Sequence, residues 1–245
     1  LKTPLDSYEC HHGIGYTKFI STKNNLKGNL TCFVPLNDAC EINTLTLTNN
    51  SDVEKKIKLF SAVEFCLWNA SDDSQNFQRN YSTGEVEIEE CAIYHKTEYR
   101  ERRNHYSFYC TNGKVIGFDS DRDTFLGKFN NYDSPIVIQN NKCTNSKASG
   151  WSPIACFEIE VTLAPKEEKT INFILGYVEN KEEDKWDKFG NINKQKAHEL
   201  IKKYNNEENV QKELDNLHAY WEELFSHFQV QSSDEHVNRM VNIWN

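Results

Sequence analysis

The hydrophobic pattern of this chain changes period once, and that change limits the folds open to it more than any other feature. From Leu30 to Tyr177 the apolar residues fall at every second position in a series of short runs. Thr44-Leu45-Thr46-Leu47-Thr48 alternates, Asn49-Asn50-Ser51-Asp52 turns, Ile57 to Leu67 alternates again, and Val86 and Ile88 continue after Gly84. Tyr106, Phe108 and Cys110 share a face, and Asn112-Gly113 before Val115 predicts a hairpin. Phe157, Ile159, Val161 and Leu163 are answered after a turn by Ile171, Phe173, Leu175 and Tyr177, which predicts the clearest antiparallel pair in the chain. Such alternation buries one face of each strand. Beyond the charged stretch 181–191 the period lengthens. Ala197, Leu200, Ile201 and Tyr204 lie on one helical face, and Val210, Leu214, Leu217, Trp221, Leu224 and Phe228 form the seam of a helix packing on a helix. Ser232 and Glu235 stand at capping-box spacing before a third helix carrying Val237, Met240, Val241 and Trp244. The fold class is therefore mainly β: an antiparallel β-sandwich over 1–185, then an α-helical linker over 186–245.

Composition narrows the function classes. With 14 Phe, 11 Tyr and 5 Trp in 245 residues a packed core is available and disorder is excluded. The net charge of −9 opposes nucleic-acid or anionic-membrane partners. No apolar run approaches the ~18 residues needed to span a bilayer, and no signal-peptide core is visible. The 8 cysteines are widely spaced and none forms a C-x-x-C motif, which predicts reduced thiols and a cytoplasmic protein. The Asn-x-Ser/Thr triplets at Asn29, Asn49, Asn69 and Asn80 then carry no meaning. The first residue is Leu1, and the last helix reaches Asn245 without a C-cap, so the chain is expected to be a piece of something longer.

Few motifs carry chemistry. Cys10, His11 and His12 lack a second ligand pair, so no metal site is predicted, and Gly13 and Gly15 are expected to shape a turn or bulge ahead of a strand. Residues 117–150 lose periodicity and read as a long functional loop or lid. Within it Asp119, Asp121 and Asp123 lack the Gly and distal Glu of an EF-hand and predict a solvated acidic turn. Glu64 and Glu98 could be paired as acid and base, but exposed strand charges or arginine partners are the simpler reading. Lys96, Arg100, Arg102 and Arg103 alternate with Glu98 and Glu101, which favours local ion pairing over a phosphate groove. Nucleotide loops, hydrolase elbows and zinc-protease helices are absent. The stretch Trp68 to Arg103 is the exception. Its centre, Asn76-Phe77-Gln78-Arg79-Asn80-Tyr81, combines amides, a guanidinium and aromatic rings with no aliphatic residue. Such groups suit an uncharged, hydroxyl-rich ligand such as a sugar, although a loop of this composition is by default only solvated.

Several blocks together resemble cellobiose phosphorylases. They include Tyr8-Glu9-Cys10, His12-Gly13, Gly15-Tyr16-Thr17, Glu64-Phe65-Cys66-Leu67-Trp68-Asn69-Ala70, Asn76-Phe77-Gln78-Arg79-Asn80 and Tyr94-His95-Lys96-Thr97-Glu98-Tyr99-Arg100-Glu101-Arg102-Arg103-Asn104-His105. Gly117-Phe118-Asp119-Ser120-Asp121-Arg122-Asp123 and Asn238-Arg239-Met240-Val241-Asn242-Ile243-Trp244-Asn245 add to them, so the resemblance spans essentially the whole chain. It departs at His11 and Ile14, where the family usually has Arg and Leu. The resemblance implies a supersandwich domain, with its first strands upstream of Leu1, and linker helices leading to an (α/α)6 catalytic barrel. It implies a cytoplasmic homodimer that converts cellobiose and inorganic phosphate to α-glucose 1-phosphate and glucose with inversion. Phosphate is a co-substrate, and no cofactor is implied. An inverting hydrolase needs a second carboxyl to activate water, whereas phosphate is already anionic, so one general acid suffices. That Asp is implied downstream of Asn245, leaving the present chain inactive alone. Gln78 and Arg79 are the residues that the resemblance assigns to the glucose acceptor subsite, reached across the dimer interface. Alternative expectations are a phosphorylase for cellodextrins or another β-linked disaccharide, a non-catalytic carbohydrate-binding sandwich, and a structural role in dimerisation.

Overall fold

The computed structural model describes residues 3–67, 84–97, 103–149 and 153–243. The alternating stretches form β1 (Ser7–His12), β2 (Tyr16–Lys23), β3 (Leu26–Phe33), β4 (Cys40–Asn49), β5 (Lys55–Glu64) and β6 (Gly84–Glu89). They continue as β7 (Ala92–Thr97), β8 (His105–Thr111), β9 (Val115–Asp121), β10 (Pro153–Leu163) and β11 (Glu168–Glu179). Two short helices, α1 (Arg122–Leu126) and α2 (Ile136–Gln139), follow β9, while α3 (Gln195–Tyr204), α4 (Glu207–Ser226) and α5 (Glu235–Ile243) end the described chain.

The strands form two antiparallel sheets, ordered β1-β2-β3-β4-β11-β8-β7-β6 and β5-β10-β9. The larger sheet consists of two meanders, β1 to β4 and β6 to β8, joined through β11. That strand pairs with β4 from Glu168↔Thr48 to Gly176↔Cys40, and with β8 from Phe173↔Thr111 to Glu179↔His105. The sheets bury Ile93, Tyr109, Phe157, Ile159, Leu163 and Phe173 between them. Tyr109 stacks on Phe157 at 5.7 Å and on Phe173 at 6.0 Å, each contact adding about 0.5–1.5 kcal/mol to burial. On the other face of the large sheet, Tyr94, Phe108, Ile174 and Val178 pack with Ala197, Tyr204, Val210 and Leu217 of α3 and α4. Period two explains how one strand serves two cores: Ala155, Phe157 and Ile159 of β10 face the large sheet, whereas Ile154 and Cys156 face Phe125, Leu126, Val137 and Cys143.

The mainly β sandwich with C-terminal helices is as expected, but several strand partners are not. β8 and β9 do not form a hairpin, because β9 pairs with β10 in the smaller sheet. Asn112-Gly113 instead crosses between layers: the Asn112 side-chain oxygen accepts from Asn172 N at 2.8 Å, and Gly113 N donates to Thr111 Oγ1 at 3.0 Å. β10 and β11 likewise face one another across the core, each pairing with other strands. Alternation specifies which face is apolar, not which strand lies alongside. Nor is one face of each strand solvated, since all of β8 is buried beneath helices on one side and the small sheet on the other.

Other corrections follow from the same layering. Residues 117–149 are not a free loop. They finish β9 and form α1 and α2, a cover over the small sheet. Asp119 is fully buried rather than solvated, accepting from Thr144 N at 3.1 Å, Thr144 Oγ1 at 2.5 Å, Ser146 N at 3.0 Å and Ser146 Oγ at 2.7 Å. Asp121 caps α1 by accepting from Thr124 N at 2.7 Å. The seam of α4 is only partly covered: Val210, Leu214, Leu217 and Trp221 pack in one cluster with α3 and the large sheet, whereas Leu224 and Phe228 are exposed. Gly15 has φ +81°, and a Cβ there would lie 2.8 Å from Trp221 Nε1, so α4 rests on the turn from β1 to β2. Cys10, His11 and His12 lie within exposed β1, and Gly13 and Gly15 form the turn ahead of β2, as expected of them. The cap of α5 is Asp234, which accepts from His236 N at 2.8 Å, while Ser232 Oγ accepts from Asp234 N at 3.2 Å.

Candidate functional site

The end of β7 gathers polar side chains that the rest of the sandwich excludes. Consecutive residues point to opposite faces of a strand, and His95 and Lys96 each serve a different one. His95 follows the parity of Ile93 into the layer between the sheets. It is 7% exposed, its Nδ1–H donates to the Glu85 carbonyl at 3.2 Å, and its ring centre lies 5.6 Å from that of Phe65. Burial drives the imidazole down to about 4. The Glu85 carbonyl works against this, and the charges of His105 and Lys96 work with it. At neutral pH His95 is therefore a neutral ring with one committed donor. Thr97, two residues on, is paired with Gly84 at the start of β6.

Lys96 turns to the helical side. It is 1% exposed, its ammonium donates to the Arg103 carbonyl, and it lies 4.5 Å from the centre of the Trp186 ring. A buried ammonium needs such partners because loss of hydration costs several kcal/mol. Lys96 is thus a buried cation, and Glu98 and Glu101, expected as its local ion-pairing partners, lie outside the described residues. Next to it, β8 begins with His105, 1% exposed, whose Nδ1 is 3.0 Å from the Tyr177 hydroxyl. That hydroxyl donates to Glu179 at 2.5 Å, so His105 is the donor to Tyr177. Asn104 Nδ2 donates to the Asn180 carbonyl at 2.7 Å, and Asn180 Nδ2 to the Asn193 carbonyl at 2.9 Å, tying the strand ends to the segment before α3.

Carboxylates elsewhere are committed to fixed partners. Glu64 accepts from Arg122 Nε and from the Tyr132 hydroxyl, both at 2.6 Å, the arginine-partner role expected of it. Glu158 is buried against Lys58 Nζ and Cys143 N, each at 2.7 Å. Glu89, beside a hollow of about 450 Å³, meets His198, Lys194 and Tyr94. Burial works to raise Glu89, but those three partners outweigh it and hold the carboxylate below its usual range. Asp38 behaves alike: burial raises it, and hydrogen bonds from Lys203 and Tyr204 bring it lower than usual. Glu89 and Asp38 stay ionised and tie α3 to the sheet, which is the opposite of what a proton donor requires. Among the described residues no three His, Cys, Asp or Glu side chains converge as metal ligands, and no helix is long and apolar enough to cross a membrane.

Phe65 and Gly84, on either side of residues 66–83, both meet β7. Gln78 and Arg79 lie in residues 68–83, outside the described residues, as do Glu98, Arg100 and Arg102. His95, His105 and Trp186 were not singled out from the sequence. A histidine continuing the apolar parity of Ile93 was the available signal, since a polar residue on a core face needs a partner.

Residues 2–207 match the family model described as Glycosyl hydrolase 94, supersandwich domain. The chain is 27% identical over 241 residues to the N,N'-diacetylchitobiose phosphorylase of Vibrio proteolyticus, covering 97% of this chain and 28% of that protein. It is 28% identical over 244 residues to the solabiose phosphorylase of Paenibacillus borealis, covering 100% of this chain and 30% of the relative. The chain thus spans less than a third of the length of these curated relatives. A solved bacterial glucoamylase complexed with acarbose shares the fold at TM-score 0.53 and 13% identity, over 88% of this chain and 28% of that one.

Proposed function

Since the chain belongs to the glycosyl hydrolase 94 family through its supersandwich domain, we propose that it is the acceptor-side portion of an inverting disaccharide phosphorylase acting on cellobiose. In this reaction a phosphate oxygen attacks the anomeric carbon of the non-reducing glucose from the face opposite the leaving group. The glycosidic bond breaks, a general acid protonates the departing oxygen, and the products are α-glucose 1-phosphate and glucose. The acid is an Asp of the protein beyond Asn245, so this portion binds and shapes rather than catalyses. Gln78 and Arg79 supply its chemistry: an amide and a planar cation bond several hydroxyls of the acceptor glucose and penalise sugars that lack them. The protein works as a cytoplasmic homodimer, with residues 1–185 as the sandwich and 186–245 as the linker to the barrel.

The block Asn76-Phe77-Gln78-Arg79-Asn80 carries the cellobiose reading. A second reading, N,N'-diacetylchitobiose, is favoured by the 27% identity to the Vibrio enzyme. The test is sugar 1-phosphate release by the full-length protein from phosphate and a panel of cellobiose, cellotriose, solabiose and N,N'-diacetylchitobiose. Preference for cellobiose supports the first reading, preference for the acetylated sugar the second, and no release from any of them refutes both. In an active enzyme Arg79→Ala should weaken acceptor use by ~2–3 kcal/mol, the loss of a charged hydrogen bond.

A further inference from the structure

Two buried thiols face one another where the cover over the small sheet meets its strands. Cys156 lies in β10, paired with Ala62 of β5 and with Asp119 of β9, and Cys143 follows α2 in the cover. Both side chains are buried, and their sulfurs are 3.9 Å apart. Each is held from its own backbone. Strand pairing fixes Cys156 on both sides, while Cys143 N donates to Glu158 Oε2 at 2.7 Å and the next residue, Thr144, is bound by Asp119. We propose that Cys143 and Cys156 are a modification site: oxidised by a peroxide, they join as a reversible disulfide that fastens the cover of α1 and α2 to the small sheet.

The geometry is close to what the bond requires. A disulfide holds its sulfurs at about 2.05 Å, so closure asks for an approach of about 2 Å, which rotation of the two side chains supplies. The two residues also belong to different layers, so the bond joins elements that otherwise meet only through apolar contacts and hydrogen bonds. In the first step one sulfur attacks an oxygen of hydrogen peroxide, the O–O bond breaks, and the products are a sulfenic acid and water. The second sulfur then displaces the sulfenic oxygen, which leaves as water with the second thiol's proton. Two thiols and one hydrogen peroxide thus give one disulfide and two waters, and a dithiol reductant reverses the bond by exchange. Hydrogen peroxide is little larger than water, so it reaches sulfurs that a bulky disulfide reagent does not. The contact with Cys156, together with burial, pushes the Cys143 thiol up, so the first step is slow. Once it has occurred, the neighbouring sulfur traps the sulfenic acid before further oxidation.

The full-length protein, reduced and then exposed to hydrogen peroxide, tests this. After alkylation in denaturant and proteolysis, mass spectrometry should recover the Cys143 and Cys156 peptides joined, with the loss of two hydrogens, from most molecules. Dithiothreitol should return both as alkylated thiols, and Cys143→Ala or Cys156→Ala should abolish the joined peptide. Hydrogen exchange in residues 122–149 should slow about ten-fold on oxidation of the wild type and stay unchanged in either variant, because a bonded cover no longer lifts locally. Should a variant fail to fold, the wild type still decides through the peptide map and its reversal by dithiothreitol. Recovery of Cys143 and Cys156 as alkylated thiols once exposed Cys10 is fully oxidised overturns the proposal, as does linkage of either one to another cysteine. A joined pair whose cover exchanges as fast as before overturns it as well.

Discussion

Acid should destabilise this sandwich through His95 before it does so through most of its carboxylates. In the unfolded chain the imidazole titrates near 6.5, whereas burial in the fold lowers it to about 4. As the pH falls through 6.5 the unfolded chain takes up a proton that the folded chain refuses until about 4. Within that window the unfolded state binds more protons, so the stability is fully present above 6.5 and drains away as the pH drops. At ~1.4 kcal/mol per pH unit, a window of 6.5 minus 4 gives about 3 kcal/mol, a large part of the ~5–15 kcal/mol that holds a typical domain. Asp38 and Glu89, held below the usual carboxylate range, also lose stabilising charge in acid, but at lower pH and equally in a His95 variant. The informative quantity is therefore a difference. Urea unfolding of wild type and His95→Asn, followed by tryptophan fluorescence between about pH 7.5 and about pH 4.5, should show the wild-type advantage shrinking by about 3 kcal/mol toward the acid end. A difference that stays constant across the window would refute the reasoning, because it would mean that His95 titrates alike in both states.

Three further outcomes follow from the geometry. Asp119→Ala strips a buried acceptor from Thr144 and Ser146 and should cost about 3–5 kcal/mol in the urea midpoint, against under about 1 kcal/mol for a surface Asp. Gly15→Ala forces a left-handed residue to carry a Cβ against Trp221, and a loss of about 2–3 kcal/mol should appear as a lowered Tm. Of the thiols, exposed Cys10 and Cys66 should react with a disulfide reagent in the native state. Cys40, which burial raises to about 12, should wait for unfolding together with buried Cys110, Cys143 and Cys156.

The sequence made the elements legible and left their neighbours hidden. Period two located β4, β5, β8, β10 and β11, because alternate residues of each strand share an apolar face, and the longer period located α3 and α4. Pairing was not visible. The residues Phe157 to Leu163 would present the same apolar face beside β11 or across from it, and only the second packs them against Tyr109. Helices over the large sheet were equally silent, since Tyr94 and Phe108 look no different when solvent is replaced by Ala197 and Leu217. At the candidate site the sequence pointed to the loop chemistry of Gln78 and Arg79, which lie outside the described residues. His95 and Lys96 escaped notice because they sit in a charged-looking run, while the rings they meet, Phe65 and Trp186, come from distant segments.

The position of β11 has a consequence for how the molecule is made. Its partners β4 and β8 precede it by more than a hundred and by some sixty residues (Thr48 to Glu168, Thr111 to Phe173). While a ribosome is still short of that strand, the two meanders have no common neighbour, and each presents a bare hydrogen-bonding edge. Such edges invite pairing with other chains, and contacts so distant in sequence form slowly. The most vulnerable period of this domain's life is thus the interval of synthesis before Glu168 to Glu179 emerges, when a single missing strand separates one sheet from two sticky halves.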